Sequence, residues 1–181
     1  MDAQVRNLVK ATIPVLKEHG VALTSYFYQR MFRHNPELHQ IFNRSHSDTG
    51  KQAMALAGAV LAYAENIDDP SVLAPVITLI AHKHASLGIR AEHYPIVGKH
   101  LLASIKEVLG DAANDELINA WGVAYGVLAD VLIEAEGKLY TEAANRDGGW
   151  SGWRPFRITD KVAESAEITS FYLTPTDGGP L

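Results

Sequence analysis

From the N-terminus to about residue 146, apolar residues recur at spacings of three and four, the signature of amphipathic helices. Breakers divide this stretch. Pro14 kinks or restarts the first helix, and Gly20 and Asn35-Pro36 are expected to bracket a second. Pro36 opens a short segment, PELHQIF, and the polar run from Asn43 to Gly50 reads as a loop. A helix is predicted from Lys51 to Asn66, stopped by Asp68-Asp69-Pro70, and another from Ser71 to Leu87 with Gly88 as its C-terminal cap. Two long helices, Ala91 to Leu109 and Asn114 to Ala144, follow on either side of a Gly110-Asp111 turn. This makes six or seven helices without a strand signal, an all-α fold.

Beyond Asp147-Gly148-Gly149 the grammar changes. Phe156–Thr159 and Ile168–Leu173 are short β-branched and aromatic runs, candidate strands separated by polar residues. Residues 149–181 are too few to bury a core of their own, since chains below about 40 residues rarely fold unaided. The expected organisation is a helical domain over 1–146 and a linker with the opening of a second domain over 147–181.

Polar side chains on apolar stripes are the informative positions. Leu73, Ile77, Ile80, His84 and Leu87 share one helix face, so His84 points inward and His82 elsewhere. Periodicity alone leaves two readings, a hydrogen-bonded core histidine, which is the commoner outcome, or a ligand. Tyr125, Leu128, Leu132, Glu136 and Leu139 form a second stripe that carries a carboxylate inward. Glu136 then needs a donor or a path to solvent. With His84 and Tyr94 it would form a relay fixing the imidazole tautomer. Gln52, Leu56, Ala59 and Tyr63 share another face, and Tyr28 lies with Val21 and Ser25 in the second helix.

Composition narrows the chemistry. The 181 residues carry a net charge of -5 and no cysteine. Nucleic-acid binding is therefore disfavoured, and disulfides, thiolate metal sites, Fe–S clusters and thioether-linked haem are excluded. The eight histidines lack paired zinc-ligand spacing. The longest apolar run, Met54 to Ala64, is too short to span a bilayer, and MDAQVRNLVK has no signal-peptide core. No membrane span and a cytoplasmic location are expected.

Several ordered fragments resemble one family: KATIPVL, FYQRMFRHNPEL, a loop ending in GKQ, AHKHASL, HYPIVGKHLLASI and AWGVAYGVLADV. The junction GGWSGWRPFRI and the run ITSFYL complete the series. Residues 1–146 resemble the globin domain of bacterial flavohaemoglobins, and the tail resembles the start of their FAD-binding barrel.

The resemblance implies a globin fold holding haem b through His84 as the iron ligand. It makes Tyr94 and Glu136 the proximal partners of His84, and Tyr28 and Gln52 the distal pair that meets bound oxygen. Phe42, Leu56, Lys83, Val97, Leu101 and Tyr125 are implied around the cofactor. Implied gas ligands are O2, NO and CO, and the implied activity is nitric oxide dioxygenation to nitrate. Electrons would come from NAD(P)H through FAD in the full-length family. Those modules are missing from these 181 residues, so an external or missing flavin reductase is the expected partner. A monomer is expected. The alternative is a single-domain globin that binds, scavenges or senses oxygen or NO. A haemless helical interaction module is a third reading, against which His84, Phe42, Tyr28 and Gln52 argue.

Overall fold

A computed structural model describes residues 1–42 and 50–181; the expected loop from Asn43 lies outside them except for Gly50. Six α-helices are described: α1 (Ala3–Ala11), α2 (Ile13–His34), α3 (Lys51–Glu65), α4 (Ala74–Leu87), α5 (His93–Leu109) and α6 (Asp115–Asn145). Two strands, β1 (Phe156–Ala163) and β2 (Thr169–Pro175), close the chain.

Local chemistry explains the boundaries. The Asp2 carboxylate accepts the Val5 N–H at 2.8 Å and starts α1. Pro14 sits in the first turn of α2, where its missing N–H costs no hydrogen bond. Thus Pro14 restarts the chain as a second helix. Gly20, by contrast, does not bound α2, which runs through it to His34. Gly20 is buried, and a Cβ there would stand 3.5 Å from the Cβ of Ala57 on α3. It marks a close helix crossing rather than an end.

The helix predicted from Ser71 opens as a 3-10 turn over Pro70–Leu73, because Asp69 accepts the Ser71 N–H and Pro70 fixes the first turn. The α-helix proper starts at Ala74 and ends at Gly88, whose φ of 75° is the left-handed cap expected there. The start of α5 falls at His93 rather than Ala91, after a turn in which His93 Nδ1 accepts the Arg90 N–H.

The chain forms two compact units, Met1–Glu136 and Gly137–Leu181, the division falling in sequence within α6. In the first unit the main core gathers Leu23, Phe27, Met31, Val60, Tyr63, Ile105 and Trp121 among others. A smaller cluster of Ile89, Tyr94, Ala129 and Leu132 packs beneath α4 and α6. Residues Ile41, Phe42, Tyr125 and Leu128 touch both. By length and composition alone α6 could cross a membrane. Its Ala120, Trp121, Ala124, Ala129, Leu132 and Glu136 are buried within the protein.

In the second unit β1 and β2 pair antiparallel, with a register irregularity between Ile158 and Asp160. Both strands are longer or later than the predicted runs, β1 reaching Ala163 and β2 beginning at Thr169. Arg154 pairs with Asp177 at 2.8 Å and sits over the rings of Trp150 and Phe156. That guanidinium holds the Asp177 carboxyl down at about 2.

Candidate functional site

Three elements converge on one imidazole. His84 lies in the last turn of α4, Tyr94 in the first turn of α5, and Glu136 on α6. His84 Nδ1 stands 2.7 Å from Glu136 Oε1 and 3.2 Å from the Tyr94 hydroxyl. The Tyr94 hydroxyl donates to the same Glu136 oxygen at 2.5 Å. Glu136 is only 2% exposed, so it does not fray into solvent. The carboxylate can only accept, so the proton between it and the imidazole lies on Nδ1. In the neutral ring this tautomer turns the Nε2 lone pair outward, as a metal requires. His84 meets both Glu136 and Tyr94 through Nδ1, and its side chain is 31% exposed. His82 faces outward and is exposed.

A second group joins α2 and α3. Tyr28 forms a side-chain hydrogen bond with Gln52. Burial pushes the Tyr28 phenol well above the ordinary tyrosine value, so the hydroxyl stays protonated and able to donate. The Tyr28 ring meets Phe42 edge-on at 6.1 Å and stacks near Phe32 at 5.9 Å. Phe42 and Leu56 are half-buried against the main core.

The other expected cofactor neighbours are spread more widely. Val97 is half-buried, while Leu101 is fully buried and lines a small apolar cavity of about 20 Å³ with Leu23, Val60 and Trp121. Lys83 is exposed on the outward side of α4. Tyr125 directs its hydroxyl to the Tyr94 carbonyl at 2.7 Å. Sequence reasoning missed Thr24 and Gly98. Thr24, one turn before Tyr28, donates to the Ala53 carbonyl at 2.8 Å and pins the start of α3 beside Gln52. Gly98 lies in mid-helix with no turn to explain it, but so do Gly58, Gly122 and Gly126, so the sequence did not single it out.

The donor set suits a haem iron. A single histidine is backed by a carboxylate, and no cluster of three His, Asp or Glu occurs among the described residues. The apolar stripe beside His84 matches a flat hydrophobic macrocycle: Ile77, Ile80 and Leu87 are each only half-buried by protein, and α4 fully buries Ala81 alone.

This combination of fold and histidine is that of a haem-binding globin. The sequence profile of the globin family matches residues 25–132, and the chain belongs to that family. More narrowly, it corresponds to the N-terminal globin domain of flavohaemoproteins. The flavohaemoprotein of Chromobacterium violaceum is 66% identical over 181 residues, all of this chain and 45% of that protein. Flavohaemoglobin from Malassezia yamatoensis, solved with bound FAD and haem, superposes with a TM-score of 0.80 at 31% identity. That match covers 99% of this chain and 47% of the other. A carbene transferase engineered from a provisionally assigned nitric oxide dioxygenase of Rhodothermus marinus matches with a TM-score of 0.76 at 38% identity. It covers 80% of this chain and 99% of that one. The chain thus spans a little under half the length of the flavohaemoproteins it matches.

Proposed function

We propose that the chain is the gas-reacting domain of a nitric oxide dioxygenase, converting NO and O2 to nitrate on haem b. The observation that carries this reading is the 2.7 Å contact between His84 Nδ1 and the buried Glu136 carboxylate. When bound through His84, the haem supplies a ferrous iron able to bind diatomic gases and give up an electron. Glu136 holds the Nδ1 proton and lends the imidazole anionic character, which favours oxygen activation over reversible storage. Tyr94, donating to the same oxygen, holds that carboxylate in place. On the α2–α3 side, the protonated Tyr28 donates to negative charge building on a diatomic ligand, with Gln52 orienting the phenol. Phe42 and Leu56 keep water away. With no cysteine in the sequence, no thioether link to haem can form.

Residues 147–181 are read as the opening of an FAD-binding barrel, β1 and β2 being its first strands. NAD(P)H would then reduce FAD in the remainder of the full-length family and FAD the haem. We place the reaction in the cytoplasm, with this chain's electrons arriving from a flavin reductase. In the test, the haem-loaded chain is supplied with NAD(P)H and a flavin reductase, and nitrate is counted against haem. Many nitrates per haem are expected. Tyr28→Phe should release oxygen faster, by a factor set by a hydrogen bond worth roughly 1–3 kcal/mol. A chain that binds oxygen but stops at one nitrate or none, with an unchanged off-rate in Tyr28→Phe, overturns the reading.

A further inference from the structure

Tyr94 can serve the relay only if the first turn of α5 aims its phenol at Glu136. That turn is gripped from α6. The Tyr125 hydroxyl donates to the Tyr94 carbonyl at 2.7 Å, and the same oxygen interacts with the Gly98 backbone N–H. Tyr94 and Gly98 are four residues apart, so one phenol bridges both ends of a single helical hydrogen-bond step. The ring presses so closely on α5 that a Cβ at Gly98 would stand 2.5 Å from Tyr125 Cε1 and 3.0 Å from Cδ1. Gly98 has ordinary helical φ, so its role is the missing side chain rather than backbone freedom. A mid-helix glycine costs roughly 1 kcal/mol against alanine. Here it admits the ring.

Eleven residues past Tyr125, about three turns along the same helix face, stands Glu136. One helix therefore holds Tyr94 twice, by its backbone carbonyl through Tyr125 and by its hydroxyl through Glu136. We propose that Tyr125 is a positioning residue of the relay, its grip on the first turn of α5 aiming the Tyr94 hydroxyl at Glu136, with Gly98 providing the room. This rests on the relay reading above, and it gives the Tyr125 hydroxyl a protein partner.

Tyr125→Phe keeps the ring and removes only the hydroxyl, so the full haem-loaded chain should fold. Its crystal structure and ferrous iron–histidine stretching frequency are compared with those of wild type, Glu136→Gln and the double variant. In Tyr125→Phe the Tyr94–Glu136 separation should open from 2.5 Å to beyond about 3.5 Å. The frequency should fall in the same direction as in Glu136→Gln but by less, and the double variant should match Glu136→Gln alone. A separation held at 2.5 Å in Tyr125→Phe overturns the proposal. So does a wild-type frequency in that variant while Glu136→Gln lowers its own. An unmoved frequency in Glu136→Gln instead overturns the relay reading, and the Tyr94–Glu136 distance then decides the positioning claim alone. Gly98→Ala, which forces the ring away, should reproduce the displacement.

Discussion

At the scale of single residues, a second buried histidine shows what tertiary contacts add to periodicity. His100 is only 1% exposed and is held between α2 and its C-cap residue. An Arg30 guanidinium N–H, able only to donate, stands 2.6 Å from Nδ1, and Asn35 Oδ1 stands 2.9 Å from Nε2. The ring is thus neutral with its proton on Nε2. Protonating Nδ1 would set two donors against each other. Burial first, then the charges of Arg30, His34 and Lys99, push its pKa below the ordinary histidine value, with Glu107 opposing them. Glu107 itself is tied to Arg30 and to the Tyr26 hydroxyl. A histidine depressed in the folded state stabilises fully above its unfolded pKa near 6.5, and this is lost as pH falls through the folded value. Urea unfolding of the chain should therefore show a midpoint that drops as pH falls from 7 toward 5. His100→Gln should flatten that dependence; an unchanged slope would remove His100 as its source. Nothing in the sequence marked this network, because each partner is an ordinary surface-type residue until α2 and α5 are brought together. His84 and Glu136 were readable for the opposite reason: each breaks an apolar stripe on its own helix.

At the scale of elements, the helices were readable where breakers and caps act locally, as at Gly88 and Asp69-Pro70. They were misread where a residue's role is set across a helix crossing. Gly20 reads as a boundary because glycine ordinarily weakens a helix, yet it lies inside α2 against Ala57. Gly98 carried no assigned role and proves to be the point where Tyr125 meets α5. Opposite outcomes follow for the same substitution. At Gly20 a methyl group would make an ordinary 3.5 Å contact, so Gly20→Ala should stabilise by about 0.5–1 kcal/mol. At Gly98 the methyl would meet Tyr125 at 2.5 Å, so Gly98→Ala should destabilise despite the gain in helix propensity. Urea denaturation of the two variants checks both signs; a stabilised Gly98→Ala would mean that the Tyr125 ring moves aside at no cost.

For the whole molecule, the relay and the Tyr28–Gln52 pair lie within Met1–Glu136, and the remaining turns of α6 run on to Asn145. The hairpin belongs to the other unit and leaves Ile158, Phe171, Tyr172 and Leu173 exposed. The haem-site residues named above all belong to the helical unit. A chain ending after residue 146 should therefore fold, take up one haem and show the same ferrous and ferrous–CO absorption spectra as the 181-residue chain. Its ferrous iron–histidine stretching frequency should also match, because His84, Tyr94, Glu136 and Tyr125 are all retained. Loss of haem on removing residues 147–181 would show instead that the hairpin unit is required to keep the helical unit folded. In either shortened or full chain, His84→Ala should abolish stable haem binding, since Nε2 of His84 is the donor the site offers to iron. Retained stoichiometric haem with an unaltered CO spectrum would place the iron ligand elsewhere.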